Sequence, residues 1–379
     1  MKTLARVNPK LFDEIKKLGA FDVSACYSCG VCTATCPLSE SGSEFPRRII
    51  RYAILGLEDK LLESLEPWLC YYCGDCTLSC PRGADPGEFM MAVRRYLITR
   101  YDWTGISKRI YHSKLAKILG IALLMLSAFV LVALFHGPVI TDRVALETFA
   151  PLHVVEIVDA IVGFSLAAIL IGNLYRMYRF TVGSVSSSNR IPFKTYVIEF
   201  IKTVPVHFLT QIRRVKCREG SAKRGLREWF DHFILMWGYV AAFLLFAILL
   251  HEVQTDEIPP LTNPLMILGI FSAIGLLYGT ISFIVQRLER KEPEYKYSHS
   301  TDWMFLILLF LTAFTGVLVG IFRHSNMPLA TYITYSIHLS LVMPLLILEV
   351  PFAKWSHLAY RSFAIYFERL KKIKIEGTS

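Results

Sequence analysis

The sequence predicts an all-α protein in which a small, cysteine-rich helical domain precedes a bundle of six membrane-spanning helices. Three observations lead to this prediction. Four closely spaced cysteines occur twice before residue 81, the 379-residue chain is 54% hydrophobic, and the long apolar runs begin only after about residue 111. This composition is too apolar for an average soluble domain. We therefore expect one domain over residues 1–110 and a membrane domain over residues 111–379.

The cysteines form two similar runs, ACYSCGVCTATCP at residues 25–37 and LCYYCGDCTLSCP at residues 69–81. Both follow the spacing C-x2-C-x2-C-x3-C-P, which resembles that of bacterial ferredoxins. In ferredoxins with two [4Fe-4S] clusters, the fourth cysteine of each run binds the other cluster. The resemblance implies a first cluster on Cys26, Cys29, Cys32 and Cys80, and a second cluster on Cys70, Cys73, Cys76 and Cys36.

Structural zinc and disulfides are the alternative uses of these cysteines. Zinc sites are built from pairs of Cys-x2-Cys and need neither a third close cysteine nor a trailing Cys-Pro. Disulfides need an oxidising compartment, and residues 1–21 are polar, with no apolar signal-peptide core. The spacing therefore favours iron-sulfur clusters. The ninth cysteine, Cys217, is expected to be a plain surface thiol.

The segments around the second cysteine run have the spacing of helices. Residues 45–68 and 87–103 both show amphipathic patterns. We therefore expect a helical two-cluster ferredoxin-like domain, unlike the small β-hairpin ferredoxins. Residues 101–116 would connect it to the first span without a long linker.

Six apolar runs without Asp, Glu, Lys or Arg follow residue 111, and most approach the ~20 residues that a helix needs to cross the hydrocarbon layer. Residues 192–212 are also apolar, but they carry charges and contain Pro205, which favours an interfacial amphipathic helix over a seventh span. The predicted spans cover about residues 116–136, 152–175, 232–251, 262–286, 302–323 and 328–350.

Basic residues indicate the orientation of the chain. Twelve Lys and Arg lie in residues 176–230, four in residues 287–301 and six from Lys354 onwards, whereas the opposite loops contain only Arg143 and Arg323. The positive-inside rule then puts both termini and the cysteine-rich domain on the cytoplasmic side of the inner membrane. Contact with anionic lipid headgroups explains the net charge of +10, so we expect no nucleic-acid partner.

Histidines near the ends of the third and sixth spans predict b-type haem, which two histidines on different helices hold without covalent attachment. The C-x-x-C-H motif of c-type attachment is absent from the sequence. Because the two spans run antiparallel, His232 would meet His357 near the cytoplasmic face and His251 would meet His338 at an outer level. The two histidines on each span are 19 residues apart, a rise of roughly 28 Å with an angular offset of about 100°, so the pairing is imperfect.

A polar cluster at the outer start of the second span combines His153, Glu156 and Asp159 on neighbouring parts of one helical face. Ionisable groups that enter a membrane usually mark a pathway or a partner, so a quinone pocket near the outer haem is one interpretation. A polar interfacial turn is the other. His153 and His324 are also alternative ligands for the outer haem.

Two family resemblances bear on these assignments. Residues 20–100 resemble the small iron-sulfur C subunit of heterodisulfide reductase, and residues 229–366 resemble the cytochrome b subunit of respiratory nitrate reductase. The resemblance to the cytochrome implies that His338 and His357 occupy the two ligand positions of its last helix. In the partner helix of that family two histidines lie ten residues apart. His232 matches the first, whereas Ala242 stands at the second.

The two parts together resemble the membrane subunits of quinone-interacting membrane-bound oxidoreductase complexes. The resemblance implies a protein that oxidises menaquinol and passes electrons through two haems b and two [4Fe-4S] clusters. The expected partners are two cytoplasmic flavoproteins similar to the A-type component of heterodisulfide reductase, with adenylylsulfate reductase of dissimilatory sulfate reduction as the acceptor. The alternative is a heterodisulfide reductase-type or related quinone-linked complex with a different acceptor. A transporter or sensor is a third interpretation, which predicts broken or charged helices at the midplane.

Overall fold

The computed structural model describes residues 6–41, 44–186, 189–211 and 222–376, so Cys217 lies outside the described residues. The described residues form helices and no strand, which confirms the all-α prediction. The α-helices before the first apolar run are Leu11–Lys16, Val31–Ala34, Arg47–Ile54, Glu58–Leu62, Glu66–Leu69, Asp75–Leu78, Pro86–Tyr101 and Ile106–His112.

Within the described ranges, six helices are long and apolar enough to cross a membrane, as the sequence predicts. We call them spans 1 to 6 in chain order: Lys114–Phe135, Leu152–Thr181, Gly225–Ile248, Pro264–Glu289, Ser300–His324 and Pro328–Phe352. The remaining α-helices are Leu146–Phe149, Phe193–Thr210, Leu250–Val253, Pro293–Lys296 and His357–Glu376.

Several span ends differ from their predicted positions. Span 2 continues to Thr181, and the helix that contains span 3 begins at Ala222, well before the predicted start at residue 232. The sequence marks where the apolar stretch ends. The backbone hydrogen bonds of a helix continue past that point as long as no residue breaks them.

Spans 3 and 6 each contain one π-helical turn, Leu244–Ile248 and Leu345–Glu349. Such turns are rare and occur frequently at functional sites. The predicted angular offset between His232 and His251 assumed an unbroken α-helix and therefore does not describe span 3. Span 6 ends at Phe352, and His357 begins the next α-helix after Ala353 and a 3-10 turn over Lys354–Ser356.

The cysteine-rich part shares one hydrophobic core with one end of the bundle. The Trp68 ring lies 5.0 Å from that of Tyr360 in the C-terminal helix, and Tyr101 lies 5.5 Å from the same ring. Leu174 and Met177 of span 2 belong to this core as well. The cysteine loops are therefore fixed against the bundle, and a domain boundary at residue 110 stays a prediction.

The predicted interfacial segment is a helix, Phe193–Thr210, with Pro205 inside it. It packs along the C-terminal helix, where Phe200 lies 6.0 Å from Phe363 and Arg369 forms an ion pair of 3.1 Å with Glu199. Several of its apolar side chains face outwards, and Phe193 is 82% exposed. Its location at a membrane surface stays a prediction.

A buried ionic network joins the cysteine-rich part to span 5. Arg95 forms ion pairs with Glu88 at 2.7 Å and with Asp302 at 3.1 Å, and these side chains are at most 7% exposed. Lys354 contacts the same Asp302 carboxylate at 2.7 Å. Burial alone would lower the pKa of Arg95, but the two carboxylates raise it, so Arg95 stays charged.

We expect Arg95→Met to destabilise the chain by about 3–5 kcal/mol, because it leaves the Glu88 carboxylate buried without its cation and leaves Asp302 paired with Lys354 alone. Thermal unfolding in detergent and protease resistance of the cysteine-rich part would measure this loss. The matched control is Lys60→Met, which removes an exposed pair of 2.9 Å with Glu63. Such a pair contributes about 1 kcal/mol at most. Equal effects of the two variants would contradict the structural role of the network.

Candidate metal centres

The two cysteine loops have the same local structure. In each loop, the residue two positions after the first cysteine has a positive φ, which is 55° at Ser28 and 56° at Tyr72. Each loop then enters a short helix through a glycine with φ near the left-handed region, 89° at Gly30 and 85° at Gly74. Glycine adopts this conformation without strain. The repeated sequence therefore makes two equivalent loops.

The first loop lies beside a cysteine of the second. The Cys32 thiol interacts with Cys26, Cys29 and Cys80, and burial together with these neighbours raises its pKa. Cys26 Sγ also accepts the backbone N–H of Ser28 at 3.4 Å. The structure thus brings together the four cysteines that the ferredoxin resemblance assigns to the first cluster.

The second loop shows the reciprocal arrangement. Burial is the largest cause that raises the pKa of the Cys76 thiol, followed by Cys70, Cys73 and Cys36, with a smaller effect of Cys32. The four cysteines assigned to the second cluster therefore also lie together. Each group of four therefore combines three cysteines of one loop with the last cysteine of the other loop.

The chemistry of this site suits iron-sulfur clusters. Cysteines bind metal as thiolates, so metal binding releases their protons and is coupled to folding. Within the described ranges, no three His, Cys, Asp or Glu side chains are close enough to hold a single metal ion. A [4Fe-4S] cluster is larger than a single metal ion, so the thiolates that bind a cluster lie further apart than the ligands of one ion. The backbone N–H groups that face Cys26 and Cys70 are of the kind that tune cluster potentials.

A histidine pair lies close to the second loop. The ring centres of His232 in span 3 and His357 in the C-terminal helix are 6.2 Å apart, and the ring planes are nearly perpendicular at 86°. Two metal–nitrogen bonds of about 2.0 Å put the centres of two axial imidazoles roughly 6 Å apart. The separation of the two rings therefore fits a shared metal between them.

His357 has the orientation of a metal ligand. Its Nδ1–H donates to the backbone carbonyl of Lys354, which leaves the lone pair on Nε2. Burial lowers the pKa of His357 to about 3, and the nearby Lys354 and Arg361 contribute to this lowering, so the ring is neutral. A hydrogen bond from one ring nitrogen to a carbonyl is the usual support for a histidine that binds metal through the other.

A small cavity of about 40 Å³ lies between the second cysteine loop and this pair. Its described lining includes Tyr71, His207, His232, His357 and Arg361, and it contains no Asp or Glu. Arg361 is the charged residue of the described lining, and a cation without nearby carboxylates suits a ligand that brings its own carboxylates, as haem does with its propionates. The donor types and the ring separation, rather than the volume of the cavity, therefore fit a b-type haem at this position.

The outer histidines are placed differently from one another. His338 Nδ1 lies 3.0 Å from Thr315 Oγ1, and because that hydroxyl already donates to Leu311, it accepts from the ring. The Nε2 lone pair of His338 is thus left for a ligand. His251 is exposed, and its Nε2 lies 3.2 Å from Glu252.

The two alternative outer ligands lie in different surroundings. Both ring nitrogens of His324 lie near carbonyl oxygens, Nδ1 2.9 Å from Gly320 and Nε2 3.2 Å from Pro259, so no lone pair points to a cofactor. His153 is exposed at the start of span 2. Thr315 therefore orients the ring of His338, and His251 as its partner stays a prediction.

The polar cluster of span 2 lies partly in an open cleft of about 610 Å³. His153 and Glu156 line this cleft together with Glu147, Thr148 and Asp256. Asp159, one turn further along the helix, is not among the described lining residues. The cleft is polar and acidic, and it brings together two of the three residues that the sequence groups on one helical face.

The sequence patterns did not identify Tyr71 or Arg361 as parts of the site. Both line the cavity at the histidine pair, and the Arg361 guanidinium carbon lies 3.9 Å from the centre of the Tyr71 ring. Two signals were present in the sequence: a tyrosine follows the first cysteine of both motifs, and Arg361 comes four residues after His357. Residues four apart share a helical face.

Comparisons with known proteins support the iron-sulfur assignment. Residues 22–84 match the family model of a 4Fe-4S dicluster domain. The chain is 44% identical over 55 residues to a protein of Archaeoglobus profundus that is described as similar to the C subunit of heterodisulfide reductase, covering 14% of this chain and 29% of that protein. It is 35% identical over 71 residues to the iron-sulfur C subunit of CoB–CoM heterodisulfide reductase from Methanopyrus kandleri, covering 17% of this chain and 37% of that protein.

A similar match, 32% identical over 73 residues, is found with the second iron-sulfur C subunit of CoB–CoM heterodisulfide reductase from Methanocaldococcus jannaschii, covering 17% of this chain and 39% of that protein. The chain therefore spans between 29% and 39% of the length of these relatives. Its 4Fe-4S dicluster region is similar to the C subunits of heterodisulfide reductases. This region is followed, within the described residues, by six helices that are apolar and long enough to cross a membrane.

Proposed function

We propose that the chain is the membrane electron-transfer component of a quinone-dependent oxidoreductase complex. It would oxidise menaquinol and pass electrons through haem b and two [4Fe-4S] clusters to a soluble acceptor. The observation that carries this proposal is the shared cavity, which is lined both by Tyr71 of the second cysteine loop and by the pair His232 and His357. Each of the bound groups would accept and release single electrons.

The residues of the chain would hold these groups in a fixed order. The second cysteine loop contacts the bundle, since Tyr72 Oη donates to the carbonyl of Pro293 at 3.4 Å. The first loop faces away, and Cys29 is exposed. The second cluster would therefore lie next to the His232–His357 site, and the first cluster next to the acceptor.

The quinone site is proposed at the opposite end of the bundle. His153 and Glu156 line the open cleft there, and Asp159 follows on the same helix. Such groups can exchange the protons that quinol oxidation releases. A second haem would use His338, whose ring is oriented by Thr315, with His251 as its proposed partner.

The partners and the location follow from the same proposal. Both termini and the cysteine-rich part would face the cytoplasm, because the basic residues cluster on that side. Two flavoproteins similar to the A-type component of heterodisulfide reductase would take up the electrons and deliver them to adenylylsulfate reductase. The names of the relatives also favour a second candidate, the membrane component of a heterodisulfide reductase-type complex with a different acceptor.

A reduced-minus-oxidised absorption spectrum of the purified chain, with haem and non-haem iron quantified, tests the proposal. We expect the bands of a b-type haem together with about eight non-haem iron atoms per chain, four for each cluster. A preparation with its full iron and sulfide but without b-type bands would refute the haem-based electron path. The iron-sulfur region would then need a different donor.

A further inference from the structure

Tyr71 is the side chain of the second cysteine loop that reaches the histidine pair. It follows Cys70 directly in the sequence and lines the same cavity as His232 and His357. Arg361, which lines this cavity too, stacks on the ring, with its guanidinium carbon 3.9 Å from the ring centre. At this distance a cation–π contact fixes the orientation of the ring.

The backbone at Tyr71 is also fixed. Arg94 is 9% exposed, and its guanidinium donates to the carbonyl of Pro67 at 2.5 Å and to the carbonyl of Cys70. The same guanidinium lies 5.9 Å from the centre of the Trp68 ring. The position of the Tyr71 ring relative to both sites is therefore set by two arginines.

The first cysteine loop provides an internal comparison. Tyr27 occupies the position equivalent to Tyr71, and it also stacks on an arginine, with the Arg82 guanidinium carbon 4.3 Å from the ring centre. Tyr27 is nevertheless 72% exposed. The loops are alike in sequence and backbone, and they differ in what the tyrosine faces.

We propose that Tyr71, held by Arg361, couples the His232–His357 site electronically to the second cluster, so that electrons enter the iron-sulfur region at that cluster. This inference rests on the proposed function. One electron leaves the iron at the histidine pair, which is oxidised, and one electron arrives at the cluster, which is reduced. No bond forms or breaks, and no proton moves to or from the Tyr71 hydroxyl.

A purely structural role of Tyr71 makes different predictions. The ring fills space beside Arg361, so its loss could loosen the site and lower haem or iron content or shift midpoint potentials. A coupling role changes the rate of electron transfer while content and potentials stay as they are. The phenyl ring, and not the hydroxyl, is the part that spans the gap.

The test compares Tyr71→Phe, Tyr71→Leu and the matched control Tyr27→Leu in the full chain. The rate at which pre-reduced haem is oxidised by the clusters is measured by stopped flow, together with haem and iron content and both midpoint potentials. We expect Tyr71→Leu to slow this step at least about tenfold, equivalent to about 1.4 kcal/mol on the barrier, with content and potentials unchanged. Tyr71→Phe and Tyr27→Leu should match the wild type. An unchanged rate in Tyr71→Leu, or equal slowing in Tyr27→Leu, would overturn the inference.

A magnetic measurement on the wild type covers the case in which Tyr71→Leu fails to assemble. Oxidised haem should accelerate the electron spin relaxation of the cluster closest to it, and Cys73→Ser identifies the signal of the second cluster. Faster relaxation of the second cluster supports the inference, whereas faster relaxation of the first cluster overturns it. A wild type without haem would instead refute the proposed function, so the two failures are distinguishable.

Discussion

Replacing His232 or His357 by alanine is expected to remove one haem b from the purified chain and to leave its iron-sulfur clusters in place. The two rings lie 6.2 Å apart across the cavity, so each variant leaves a single imidazole for a group that needs two. The pyridine haemochrome assay gives haem per chain, and the low-spin EPR signal reports the ligands.

The control for this experiment is His112→Ala. His112 is exposed, and its Nδ1 donates to the carbonyl of Lys108 at 2.9 Å. Its replacement should leave haem content unchanged. Full haem content in His232→Ala would contradict the assignment of the inner pair. His338→Ala and His251→Ala extend the test to the outer site, where His338 has an oriented ring and His251 is exposed.

Serine at Cys36 and serine at Cys80 are expected to remove different clusters. Cys80 lies with Cys26, Cys29 and Cys32, although it belongs to the second motif in the sequence. Each variant should therefore lower non-haem iron from about eight to about four atoms per chain. EPR of the reduced protein shows which cluster signal survives in each variant.

The crossed arrangement makes a sharp distinction possible. Cys36→Ser should lose the same signal as Cys73→Ser, and Cys80→Ser the same signal as Cys29→Ser. Loss of one and the same signal in Cys36→Ser and Cys29→Ser would show that each motif binds its own cluster. Cys217→Ser is the control, and it should keep both signals. Because metal binding and folding are coupled, protease sensitivity should rise along with iron loss.

Local spacing and hydrophobic length were enough to predict the architecture. The number of spans follows from the apolar runs, since each must bury about 20 residues in the hydrocarbon layer. The proximity of His232 and His357 follows from two antiparallel helices with histidines at matching levels. The first argument depends on features that a single segment carries by itself, and the second needs only the number of spans to give the direction of each helix.

Other features depend on residues far apart in the sequence. Asp302 contacts Arg95 across 207 positions, and no pattern around either residue indicates the pair. The contact of Tyr71 with Arg361 likewise needs the C-terminal helix to return to the second cysteine loop. Long-range packing of this kind is decided by the complete fold.

Span geometry was the least predictable part. The π-helical turns Leu244–Ile248 and Leu345–Glu349 change the direction of side chains beyond them, and apolar residues give no periodic signal for such a turn. The turn Leu244–Ile248 lies between His232 and His251, so the outer pair, which was derived from regular α-helices, stays a prediction. The inner pair also depends on one of these turns, because His357 follows Leu345–Glu349, and the structure places His232 and His357 6.2 Å apart.

The most direct test of the account is to add a menaquinol analogue to the purified chain and to follow haem and cluster reduction together in one rapid-mixing experiment. The account predicts that haem is reduced first, that the cluster signals follow, and that His357→Ala, which lacks the inner haem, keeps its clusters oxidised. Cluster reduction at the wild-type rate in that variant would contradict the claim that the histidine pair and the cysteine loops form one electron path.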